Sequence, residues 1–171
     1  MFSQRVRPPV VADERTQLMG WFDLQRSIIA FKCEGLSEAD AHRAVLPSSP
    51  LTTVAGIVSH LRWTEHCWFE VIFLDRAESE NPQFTQGSQD LDWQVDDVPL
   101  AQLLADYEQQ CARSNETIAA HSLDDVSAHQ DPDYDPPSLR WMIIHMVEET
   151  ARHAGHLDTV RELLDGRKGY Y

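Results

Sequence analysis

Ionisable residues occupy the apolar face of the last long helical segment of the sequence. At about 100° per residue, Glu149 and His153 project onto the apolar stripe of that segment. The same stripe contains Met142, Met146 and Val160. Burying a lone carboxylate or imidazole is costly unless a partner compensates for the lost water. A Glu-x₃-His pair is also the spacing with which helices supply two metal ligands, so this pair predicts half of a metal site.

An earlier helical segment supplies a third residue of the same kind. His60 lies at the centre of a stripe that includes Ile57 and Thr64, so we expect it to face the core. Two imidazoles and one carboxylate form the ligand set of many catalytic zinc sites, and three protein ligands leave positions open for water or substrate. We therefore predict that His60, Glu149 and His153 bind a divalent metal. By itself this set also accepts nickel, iron or manganese.

Other residues near the predicted ligands are not assigned as ligands. His145 and His156 project beside the Glu–His pair, and we predict that they carry protons or support the ligands rather than bind the metal. Cys67 follows His60 on the same stripe, but no second cysteine has metal-site spacing, so it is interpreted as a small apolar residue. Two simpler interpretations stay open: hydrogen-bonded core histidines, and a buried ion pair without metal.

Four long segments with helical periodicity position these residues, and none of them alternates as a strand would. Their expected bounds are about 13–35, 52–77, 97–118 and 138–166, with a short capped turn at 37–40. A polar connection at 78–97 contains Pro82 and Gly87, and the proline-rich segment at 131–137 cannot be helical. The pattern predicts an all-α protein: one domain, residues 1–171, built as a four-helix bundle with long crossover loops.

Composition narrows the classes of function. The 171 residues include 14 Lys and Arg against 28 Asp and Glu, a formal charge of −14, which argues against nucleic-acid and anionic-membrane partners. The sequence has no apolar stretch long enough for a membrane span, and its first ten residues lack a signal core. The widely spaced Cys33, Cys67 and Cys111 indicate reduced thiols. We therefore expect a cytoplasmic protein.

Several segments together resemble the DinB-like superfamily. The run WMIIHMVEETARHAGH at 141–156 is similar to its fourth helix, and the segments PSSPLT at 47–52, VSHL at 58–61 and WTE at 63–65 also match. The sequence is most similar to the uncharacterised branch related to the N-terminal, metal-binding domain of mycothiol-dependent maleylpyruvate isomerase. Glutamate at 149, where many members of the superfamily have histidine, points to that branch.

The resemblance implies both a topology and a metal centre. Members are four-helix bundles with an up-down-down-up order, in which a long loop crosses between the second and third helices. They hold a divalent metal, commonly zinc or nickel, with ligands that align with His60, Glu149 and His153.

The resemblance also implies an activity. Characterised relatives are thiol-dependent transferases or isomerases that use mycothiol, bacillithiol or glutathione. We expect a metal-dependent S-transferase or isomerase in which the metal activates a low-molecular-weight thiol toward an electrophile and His156 or His145 relays protons. The isomerase has a further C-terminal domain that this sequence lacks, so we expect a reaction other than maleylpyruvate isomerisation itself. The alternative is a non-catalytic metal-binding bundle that serves as a stress-response or partner-binding module. Relatives often pair, and a homodimer stays open.

Overall fold

The computed structural model describes residues 2, 4–77, 90–133 and 135–168. Within these residues there is no β-strand, and the predicted all-α class is confirmed. The α-helices are α1 (Glu14–Cys33), α2 (Glu38–Ala41), α3 (Val54–His66), α4 (Leu100–Ala120) and α5 (Leu139–Asp165). A π turn, Cys67–Ile72, continues α3, and a 3-10 turn, Leu91–Trp93, precedes α4. The predicted loop positions Pro82 and Gly87 lie outside the described residues.

Short-range signals in the sequence set most of the helix ends. The side chains of Asp13, Thr53 and Ser138 each accept a backbone N–H three residues later, as expected of N-caps. Gly35 and Gly166 follow α1 and α5 with φ of +72° and +73°, a conformation that favours glycine. These ends agree with the predicted ones because caps depend on neighbouring residues only.

The start of α4 differs from the prediction for a tertiary reason. The helix begins at Leu100 rather than at Asp97, and Pro99 is its N-cap residue without a side-chain cap. The Leu100 N–H instead donates to Glu38 Oε2 at 3.0 Å, so the short helix α2 caps α4.

The second long helix also ends earlier than the predicted position near Ala77. Its α-helical part ends at His66, and in the π turn the Phe73 N–H donates to the Trp68 carbonyl, five residues back. Asp75 then leaves helical geometry with φ of +52°. Because a π turn adds a residue per turn, a 100° projection from His60 no longer holds beyond His66.

The helices enclose two apolar clusters. Helix α1 packs along α5, and α3 packs against both α4 and α5. One cluster, with Ile28, Ile57 and Leu157, lies between α1, α3, α4 and the second half of α5. The other, with Phe69 and Met142, lies where the π turn meets the start of α5. No helix of the described chain is both long and apolar enough to cross a membrane.

A buried ion pair joins α1 to α3 within this packing. Arg26 is 2% exposed and Glu65 is completely buried. The guanidinium donates from Nε to Glu65 Oε1 at 2.9 Å and from Nη2 to Oε2 at 2.6 Å. This two-pronged contact fixes how α1 and α3 are aligned along their lengths.

Candidate metal centre

Helices α3 and α5 bring together the three residues predicted as metal ligands. One ligand atom from each of His60, Glu149 and His153 lies within 4.8 Å of the other two. Glu149 Oε1 is 3.3 Å from His60 Nε2 and 3.1 Å from His153 Nε2. Both imidazoles therefore direct the same ring nitrogen at one carboxylate oxygen, so the three donors could share one cation.

The surroundings of this cluster favour charge on its members. Hydrogen bonds from His153 and His60 hold the pKa of Glu149 well below its usual range, although burial acts in the opposite direction. Burial lowers the pKa of His60, but its contacts with Asp92 and Glu149 outweigh burial and raise it above 6.5. Glu149 is thus an ionised carboxylate at neutral pH, as a metal ligand must be.

Asp92 orients the His60 ring from the opposite side. Its Oδ2 lies 2.7 Å from His60 Nδ1, and Asp92 is 4% exposed. With Nδ1 donating its proton to this carboxylate, Nε2 of a neutral His60 would offer its lone pair to a cation held together with Glu149. Histidines that ligate metals usually have such a carboxylate or carbonyl partner. Asp92 was not predicted from the sequence, since it lies in a polar connection without periodicity, 32 residues from His60.

Trp93 covers the centre, and Gly56 makes room for it. The Trp93 ring stacks on His60 with centroids 4.2 Å apart and lies 5.4 Å from the His153 ring. A Cβ atom at Gly56 would lie 3.1 Å from the Trp93 carbonyl oxygen and 2.5 Å from that of Leu51. Glycine one turn before His60 therefore allows the Leu91–Trp93 turn to approach α3 closely.

The two histidines predicted to act in catalysis occupy different surroundings. His156 Nδ1 lies 3.4 Å from His153 Nδ1, so His156 adjoins the ligand cluster. However, His156 and Leu163 are exposed, although the 100° projection predicts both beside the stripe of Glu149 and His153. The buried face of α5 is therefore narrower than the projection predicts. His145 instead stacks on Trp141, with ring centroids 5.2 Å apart.

Two further ionisable side chains lie outside the ligand cluster. His66 is 7% exposed. Its Nδ1 lies 3.5 Å from Glu70 Oε1 in the π turn. Arg140 pairs with Glu14 and Asp124, near the start of α5 and away from the three ligand residues.

Two imidazoles and a carboxylate thus converge from two helices of an all-helical protein. The chain therefore falls in the class of helical proteins with a candidate divalent-metal centre. The particular family follows from comparison of the sequence. The family model described as mycothiol S-transferase matches residues 17–166, a span that contains every residue of the centre. The chain belongs to this family, which is a member of the DinB-like superfamily, so that resemblance is confirmed. Comparisons with curated proteins and with solved structures find no match.

Proposed function

We propose that this chain is a metal-dependent enzyme that transfers a low-molecular-weight thiol of the mycothiol type to an electrophile. The observation that carries the proposal is the convergence of the two Nε2 atoms on Glu149 Oε1. This convergence lies inside a span that matches a family described as mycothiol S-transferase. An isomerase that uses the same thiol as a cofactor would need the same centre.

The donor set fits a divalent cation of intermediate softness. His60, Glu149 and His153 would hold it, and imidazole with carboxylate suits zinc, with nickel as the other candidate. When bound, such an ion supplies positive charge that lowers the pKa of a nearby thiol, so that the thiolate is available at neutral pH.

The chain's own residues orient the ligands and receive the proton. Asp92 keeps the proton of His60 on Nδ1. If His153 ligates through Nε2, its proton is on Nδ1 and donates to His156 Nδ1, 3.4 Å away. We therefore assign His156 a positioning role toward His153. His145, one turn before Glu149, stays our proposed carrier of the proton that the thiol releases, and His156 would carry it once its Nδ1 is released from His153.

We also propose the order and direction of the helices in the bundle. The packing of α1 along α5, and of α3 against α4 and α5, is compatible with a four-helix bundle of up-down-down-up order. In this arrangement the connection between Ile72 and Leu100 is the long crossover. We further propose that residues 1–171 form one domain. A cytoplasmic location is supported by the cysteines, of which none is in a disulfide.

Metal analysis of protein purified without an affinity tag tests the site directly. We expect close to one equivalent of zinc or nickel in the wild type, and none in H60A or H153A, since each variant removes one of three ligands. H42A is the matched control, because His42 Nε2 contacts Glu38 at 3.7 Å and lies outside the ligand cluster. Wild-type metal content in H60A would reject the proposed site.

A turnover assay then separates the enzyme from its alternatives. Metal-loaded protein is incubated with an alkylating electrophile and with mycothiol, bacillithiol or glutathione, beside a metal-free control. Faster thioether formation with one thiol supports the transferase. Stoichiometric metal without thiol-dependent turnover indicates the non-catalytic module. Protein that never retains metal indicates that Glu149 and the histidines only satisfy each other.

A further inference from the structure

A cavity lies between the π turn and the start of α5, and none of the residues assigned to the metal centre lines it. Its volume is about 780 Å³, within the range of about 300–1,000 Å³ typical of small-molecule sites. The π turn forms one wall with Cys67, Trp68 and Ile72. The start of α5 and the preceding loop form the other, with Pro137 and Trp141.

Two indole rings give this cavity a hydrophobic interior. The Trp68 and Trp141 ring centroids are 5.6 Å apart, and His145 packs against both rings. Trp141 is 50% exposed although it adjoins an apolar cavity. An aromatic side chain left half open to solvent beside a cavity is typical of a surface that binds a planar apolar molecule.

The walls of the cavity are fixed by backbone hydrogen bonds. The N–H groups of Ala128 and His129 donate to the carbonyls of Phe73 and Ile72, at 2.9 and 3.2 Å. The Ser127 N–H donates to the Pro137 carbonyl at 2.9 Å. These bonds hold the loop against the end of the π turn, so the cavity does not depend on a ligand to form.

The rim of the cavity selects against negative charge. Asp131 and Asp135 line it, and none of the described lining residues is Lys or Arg. His129, the lining histidine, has its Nδ1 3.0 Å from Asp75 Oδ1. An anionic ligand would meet two carboxylates without a compensating cation.

The cavity and the metal centre lie along the same two helical elements, α5 and α3 with its π turn. His145 precedes Glu149 by one turn of α5, about 6 Å along the axis, and Trp141 precedes it by two turns, about 12 Å. On the opposite wall, Thr64 Oγ1 lies 3.4 Å from His60 Nε2, and Cys67 follows it by about one turn. His145, which packs on both tryptophans, therefore lies between the cavity and the metal centre along α5.

We propose that this cavity binds the electrophilic substrate, and that this substrate is an aromatic compound without negative charge. This inference rests on the proposed function. Phenacyl bromide serves as the test substrate of this class. In its reaction the thiolate sulfur forms a bond to the CH₂ carbon. The C–Br bond breaks, and bromide leaves with the electron pair. The thiol proton goes to a base or to solvent.

Turnover of three alkylating agents at saturating thiol tests the selectivity. Phenacyl bromide is aromatic and neutral, 4-carboxyphenacyl bromide is its anionic counterpart, and iodoacetamide has no ring. We expect kcat/KM to favour phenacyl bromide over the carboxylate by about tenfold or more. W141A should lower the ratio of kcat/KM for phenacyl bromide to that for iodoacetamide by about tenfold, mainly through KM. W141F should restore most of the ratio, and W21A on α1 is the matched control, since Trp21 is 41% exposed.

A binding measurement distinguishes failure of this inference from failure of the proposed function. Saturation-transfer NMR with acetophenone and metal-free protein needs neither metal nor turnover. Binding that W141A abolishes, in a protein without transferase activity, supports the cavity and rejects the proposed function. Transferase activity with a phenacyl bromide to iodoacetamide ratio that W141A leaves unchanged overturns the inference. An effect of W141A on the KM for the thiol, without one on the electrophile, also overturns it.

Discussion

Asp92 Oδ2 lies 2.7 Å from Nδ1 of His60, and this contact directs the Nε2 atom of the same ring at Glu149. A residue of the long connection thereby orients a side chain of α3. Such a carboxylate fixes the ring, sets its tautomer and increases the basicity of the ligating nitrogen. Asp92 therefore belongs to the candidate centre although it contributes none of the three ligand atoms.

Replacing Asp92 by alanine should weaken metal binding by about 10–100-fold, because His60 loses its fixed orientation. Asparagine, which can still accept a hydrogen bond from Nδ1, should give a smaller loss. Competition with a chelator of known affinity measures both effects. D96A, an exposed aspartate in the same connection, is the control. Wild-type affinity in D92A would show that the contact does not support a ligand.

Glu149 and Glu148 offer a matched pair of variants on adjacent positions of α5. A metal that binds only the folded state raises the unfolding temperature by mass action. Added zinc should therefore stabilise the wild type and E148A, whose glutamate points to Arg152, but not E149A. Differential scanning fluorimetry with and without chelator measures the shift. Equal shifts in E148A and E149A would exclude Glu149 as a ligand.

The buried pair of Arg26 and Glu65 should dominate the stability of the α1–α3 contact. E65A removes the two-pronged partner of a buried guanidinium, and we expect it to lower the free energy of unfolding by about 3–5 kcal/mol. The double variant R26L/E65L should recover much of this loss, because neither charge is then buried alone. Urea unfolding measures the change. D23A, which removes a partner of Arg26 that is 40% exposed, should cost less than about 1 kcal/mol.

Glu70 in the π turn should make stability depend on pH. Burial raises its pKa, but hydrogen bonds from Gln110 and Arg76 outweigh burial, and the pKa lies below 4.5. A carboxylate whose pKa is lower in the folded state stabilises the fold above its unfolded-state pKa. It loses that contribution as pH falls through the folded-state pKa. E70Q should thus be less stable than the wild type at neutral pH, and the difference should shrink below pH 4.5.

Urea unfolding of wild type and E70Q across this pH range measures the effect. E116Q on the exposed face of α4 is the control for a change of net charge. A difference between wild type and E70Q that stays constant into acid would contradict the prediction.

Helical periodicity was sufficient to predict that His60, Glu149 and His153 face one another. Each lies on an apolar stripe, and two stripes of packed helices must meet. The same reasoning wrongly grouped His156 with the buried residues of α5, because this helix buries a narrower arc than its apolar residues suggest. It also failed beyond His66, where the π turn changes the number of residues per turn.

The sequence by itself determined the all-helical class, the capped helix ends and the pairing of Glu149 with His153, because each depends on residues within a few positions of one another. The tertiary structure alone decided that Asp92 and Trp93 complete the centre, that Glu38 caps α4 and that two tryptophans border a cavity. These contacts join residues far apart in the chain, and no apolar stripe in the sequence identifies these particular residues as partners.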